Sequence, residues 1–110
     1  MASLPESARN VLVYTPQTIF AVTDYLCFEA KPDDIEKFLA DSPELEGPTY
    51  ERSSDWFDDK PSWFNPERID RMYKFDKTEY YSQGKVEHID WHGELIIDDE
   101  KHIVYVFRWK

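Results

Sequence analysis

Ile103-Val104-Tyr105-Val106-Phe107 is apolar at every position, so a strand formed here has no polar face to turn toward water. That pattern predicts a central strand, or one covered on one side by a helix. A helix is available upstream. Pro32 suits a first helical turn, where its missing N–H would have no partner anyway. Asp33, Asp34 and Glu36 follow, placed where the helix dipole favours negative charge. Ile35, Phe38 and Leu39 have the i, i+3, i+4 spacing of one buried stripe, and Ser42-Pro43 ends the run.

The other strands are read outward from this pair. Asn10–Tyr14 and Ile19–Glu29 form an expected hairpin about the Thr15-Pro16-Gln17 turn. Phe20, Val22, Leu26 and Phe28 would make one apolar face of its second strand, interrupted by Asp24. Residues 71–81 and 86–92 read as two more strands joined at Ser82-Gln83-Gly84-Lys85. Gly93 marks an expected bulge or bend before Glu94-Leu95-Ile96-Ile97. Asp98-Asp99-Glu100-Lys101 is a polar turn. Between Glu44 and Asp70 the periodicity fails, and Pro48, Pro61 and Pro66 alternate with aromatic residues. This stretch is expected to be a long irregular connection. The fold class expected is α+β: an antiparallel sheet of about five strands, one main helix packed on one face, and a long aromatic-rich loop, in one domain over residues 1–110.

Composition supports a packed core and narrows the partners. Of the 110 residues 41% are hydrophobic and 16% aromatic, which is too much apolar mass for global disorder. Acidic residues outnumber basic ones 23 to 13, for a net charge of -10. Lys and Arg are scattered singly, so no positive footprint for DNA, RNA or an anionic membrane exists, whereas a basic protein partner would be attracted. No apolar run approaches the roughly 20 residues of a membrane span. Met1-Ala2-Ser3-Leu4-Pro5 lacks the basic and apolar regions of a signal peptide. As written the chain is expected to be soluble and cytoplasmic, or at a bacterial envelope if a signal segment has been removed. Cys27, the single cysteine, sits in Tyr25-Leu26-Cys27-Phe28 and is expected to be a buried, inert thiol.

Three clusters could carry chemistry. In His88-Ile89-Asp90-Trp91-His92, strand alternation places His88, Asp90 and His92 on one face, and all three are zinc-ligand types. Along a regular strand, however, the two histidines start roughly 13 Å apart, so one ion could reach both only across a bulge at Gly93 or nearby. The plainer reading is a polar strand face. In the long connection, Trp56-Phe57-Asp58-Asp59 and Trp63-Phe64 repeat a Trp-Phe pair seven residues apart. Exposed, these rings would form a recognition surface; buried, they would pin the loop to the core. Asp58-Asp59 and Asp98-Asp99-Glu100 lack the ordered spacing of a calcium loop. The glycines Gly47, Gly84 and Gly93 cannot form a phosphate cradle, and no hydrolase serine elbow is present. No cofactor is therefore expected.

Leu4-Pro5, Ala8-Arg9-Asn10, Phe28-Glu29-Ala30 and Ile35-Glu36-Lys37-Phe38-Leu39 resemble a pattern found in small uncharacterised bacterial proteins of lipoprotein-like or envelope-associated type. Ser62-Trp63-Phe64-Asn65-Pro66, Leu95-Ile96-Ile97-Asp98 and Val104-Tyr105-Val106 extend the resemblance over most of the chain. It implies no activity, and the chain departs from it by lacking a lipobox cysteine. The function expected is a non-enzymatic protein-interaction module, of immunity or inhibitor type, using the acidic surface and the aromatic loop. The alternatives are a metal- or small-ligand-binding domain, with hydrolytic potential, on the His88, Asp90, His92 face, and a structural domain of a bacterial envelope protein.

Overall fold

The computed structural model describes residues 2–16, 23–49, 60–82 and 85–109, with side chains described outside 77–91. Among the described residues, six strands and one helix follow in the order β1 (Arg9–Tyr14), β2 (Thr23–Glu29), α1 (Pro32–Ala40), β3 (Glu46–Thr49), β4 (Arg71–Ser82), β5 (Lys85–Asp98) and β6 (Ile103–Trp109). All six strands lie in one sheet, ordered β1-β2-β6-β5-β4-β3, and every pairing is antiparallel.

The expected five-stranded α+β architecture is therefore corrected. The fold is dominated by a six-stranded sheet, and its one helix has nine residues. Two local features account for the difference. Glu46-Gly47-Pro48-Thr49, inside the stretch expected to be irregular, pairs with β4 through Glu46↔Lys74 and Thr49↔Met72. An edge strand this exposed needs backbone hydrogen bonds but no apolar alternation, so its side chains do not announce it. At Gly93 the strand continues rather than restarts: β5 runs from Lys85 to Asp98, and its irregularity lies just before Gly93, between Ile89 and His92. Gly93 lies directly opposite Phe75, and a Cβ there would stand 2.1 Å from the Phe75 Cζ. Glycine is present because the Phe75 ring occupies the space a side chain would need.

β6 sits between β2 and β5, and the sheet is covered on both faces. Val104 and Val106 point to one side, with Phe28, Phe75, Leu95 and Ile97, under Ile35 and Phe38 of α1. Phe28 and Phe38 meet edge to face with centroids 5.6 Å apart. Burying each of these helix side chains stabilises the fold by roughly 1.5–3 kcal/mol. The helix is closed by Ser42, whose hydroxyl donates to the Phe38 carbonyl at 2.8 Å and accepts the Ala2 N–H at 3.0 Å. On the other side Tyr105 and Phe107 join Tyr25, Cys27, Met72 and Ile96 around Phe64. Phe64, from the segment between β3 and β4, is fully buried there. β2 consequently contributes to both cores: Leu26 and Phe28 on the helix side, Tyr25 and Cys27 on the other. The one-sided face expected for this strand is thus replaced by a strand covered on both sides, and residues 17–22 lie outside the described residues.

Candidate functional site

The acidic turn between β5 and β6 is held by arginine and by its own backbone. Asp98, only 3% exposed, accepts the backbone N–H groups of Glu100 and Lys101, both at 2.9 Å. Arg71 projects from the start of β4 onto the helix side. It bridges Glu36 of α1 at 2.7 Å and Asp99 at 2.8 Å. Burial works against its charge, but the hydrogen bonds it donates to Glu36 and Asp99 prevail and hold the guanidinium above its ordinary value. Arg68 bridges Asp70 at 2.7 Å and Glu100 at 2.8 Å. Asp70 also accepts the Asp99 N–H at 2.7 Å, and these two bonds, Arg68 foremost, hold its carboxyl below the usual range. The carboxylates at this end therefore tie α1, β4 and the β5–β6 turn together. They do not present a set of free ligands.

On the histidine strand, His92 is the one candidate residue whose side chain the structure describes. His92 faces Asp76 across the β4–β5 ladder, Nδ1 to Oδ1 at 2.6 Å, and its ring lies 5.9 Å from that of Trp109. Between that pair and Thr78↔Ile89, β5 advances three residues while β4 advances two. One extra residue therefore sits in β5 between Ile89 and His92. This is an irregularity near Gly93 of the kind the histidine spacing called for, and it shifts His92 out of strict alternation with His88 and Asp90. The side chains of His88 and Asp90 lie outside the described residues. Among the described residues, no group of three His, Cys, Asp or Glu side chains is placed to hold a metal ion.

The two halves of the aromatic loop stand differently. Trp56, Phe57, Asp58 and Asp59 lie outside the described residues. Phe64 is removed from the candidate surface, because its ring packs against Tyr25, Tyr105 and Phe107 at 5.1, 5.6 and 6.2 Å. Trp63 is half-buried beside it, 6.2 Å from the Phe64 ring. These two residues close the second core. Cys27 lies in the same core, where burial, with Glu29 adding, pushes its thiol up to about 11; such a thiol is a poor nucleophile at neutral pH.

One surface stands out that the sequence pattern did not single out. Val11, Leu12, Val13 and Tyr14 of β1 are all exposed, Val13 by 66%. The inner side of β1 pairs with β2 through Leu12↔Cys27, Val13↔Leu26 and Tyr14↔Tyr25, while its outer side is a sheet edge with no neighbouring strand among the described residues. The signal was available in part: no acidic residue occurs between Glu6 and Asp24, although the whole chain carries a charge of -10. A cleft elsewhere, between the N-terminal lead-in and α1, is lined by Ser3, Glu6, Asp34, Lys37 and Asp41. Among the described residues, no helix is long and apolar enough to cross a membrane. Comparison with protein-family models, with curated proteins and with solved structures finds no match for this chain.

Proposed function

We propose that this chain is a non-enzymatic protein-interaction module acting through the open edge of β1. The observation that supports this reading is the apolar, exposed edge strand Val11–Tyr14. Exposed sheet edges carry unpaired backbone groups ready to accept another strand, and proteins usually blunt them with charge. Here the inward side of the strand is fixed by β2, and residues 11–14 carry no charge. Strand addition would satisfy the free backbone groups and remove the apolar side chains from water together.

The charge of -10 governs what approaches the remaining surface. It favours a basic protein and disfavours nucleic acid. An inhibitor-type role, covering a basic site on a partner, is the subclass consistent with that charge.

The test uses tagged bait expressed in cells that also make the untagged chain, as wild type and as Val13→Lys. Wild-type bait is expected to retain a protein, the untagged chain included, that the variant loses. Identical sets of captured proteins would refute the assignment of the β1 edge.

A further inference from the structure

Resting on the interaction reading above, we propose that the strand seated against β1 comes from a second copy of this chain. The pairing is antiparallel about a two-fold axis through Val13.

The geometry of β1 limits how any strand can add to it. Between the pairs Arg9↔Glu29 and Leu12↔Cys27, β1 advances three residues and β2 two, and Asn10 has a left-handed φ of 52°. A bulge therefore disrupts the outer ladder at the N-terminal end. Pro16 has no N–H to donate and ends the ladder at the other. The stretch free of both is Val11-Leu12-Val13-Tyr14-Thr15, and its midpoint is Val13, the most exposed large hydrophobic side chain among the described residues.

That five-residue stretch is self-complementary. An axis perpendicular to the sheet keeps the helix side of both copies on one side. It pairs Val13 with Val13, Leu12 with Tyr14 and Val11 with Thr15. Leu12 and Tyr14 share the face that Cys27 and Tyr25 occupy on β2, so an aliphatic side chain meets an aromatic one twice. No charged group lies within the stretch to select a foreign strand of opposite charge. Two bodies of charge -10 repel, but the strand itself carries no acid, and Asp24 and Glu29 beside it on β2 are paired with Arg108 and Arg9. The product is a continuous twelve-stranded sheet, twice the six strands of one copy.

Sedimentation equilibrium on the purified chain tests this. A contact of five residues per strand falls at the small end of interfaces, so a dissociation constant on the order of 10–100 μM is expected. Raising NaCl from about 0.05 to 0.5 M shortens the screening length from about 14 to about 4 Å and should tighten self-association several-fold. Val13→Lys and Val13→Glu each place like charges opposite one another across the axis, so each alone should weaken the dimer by at least about tenfold. An equimolar mixture of the two variants should associate again as a heterodimer. Unchanged thermal melting of each variant shows that the fold is intact, as expected at an exposed position. A wild-type chain that stays monomeric to about 1 mM overturns the proposal, as does a dimer indifferent to both substitutions, or one the mixture fails to restore. If the purified chain is monomeric while wild-type bait still captures another protein through β1, the second-copy inference fails and the interaction reading stands.

Discussion

Replacing Phe64 with alanine tests whether the segment between β3 and β4 is a structural wall of the second core. The ring is fully buried and surrounded by Tyr25, Tyr105, Phe107 and Trp63. Truncating a buried Phe costs about 3–5 kcal/mol, from lost transfer energy and the cavity left behind. The upper half of that range applies if Tyr25, Tyr105 and Phe107, which are strand-borne, cannot collapse into the space. At about 4 °C per kcal/mol for a domain near this size, melting should fall by about 12–20 °C. Urea unfolding followed by circular dichroism gives the equilibrium value. The slope with denaturant supplies a second check: if the segment detaches in the native variant, less surface remains to be exposed and the slope decreases. Phe64→Leu, which keeps most of the volume, should cost about 1–1.5 kcal/mol. A loss below about 1 kcal/mol for Phe64→Ala would refute the claim that this ring closes the second core.

Other expectations follow from single contacts. Gly93→Ala should destabilise by about 1–3 kcal/mol through overpacking against Phe75, and Phe75→Leu in the same chain should recover part of that loss; strictly additive effects in a double-mutant cycle would contradict the contact. Arg71→Met should cost roughly 0.5–1.5 kcal/mol by removing the cation shared by the half-exposed carboxylates of Asp99 and Glu36, measured by urea unfolding. For Cys27, both folded and unfolded chains hold the thiol proton at neutral pH. As pH rises past the ordinary thiol value the unfolded chain loses it first, while the native chain keeps it until about 11, so stability should fall across that alkaline window. Cys27→Ala should remove that part of the alkaline slope. Iodoacetamide at pH 8 should modify the native protein at least about a hundredfold more slowly than the urea-unfolded one.

What the sequence disclosed depended on whether side chains or backbone carry the information. α1 was legible because proline, acids and an apolar stripe all agree, and the helix begins at Pro32 as its pattern requires. β6 was legible because apolar side chains on both faces have only one comfortable place in a sheet, and it lies between β2 and β5. β3 was not, because an exposed edge strand of Glu-Gly-Pro-Thr is held through its main chain. The bulge before His92 was legible only as an irregularity signalled by Gly93, and its position was not. An inserted residue leaves the alternation of types intact in the sequence while breaking it in space, and the three-residue site read from spacing rested on that alternation. For Phe64 the sequence favoured an anchor over a surface ring without deciding between them, since a ring in a proline-rich stretch looks the same in both roles until its neighbours are known.

The position of β6 also bears on how the chain is made. The hairpin of β1 and β2 bonds only to β6 on its inner side, and so does the β3-β4-β5 meander. During synthesis these two pieces emerge from the ribosome with no edge in common, and the strand that unites them is the last of the six to appear. Cooperative folding must therefore wait for Ile103–Trp109. A nascent chain stalled before Ile103 is expected to remain protease-sensitive throughout, and the same chain extended past Trp109 to become resistant in a single step.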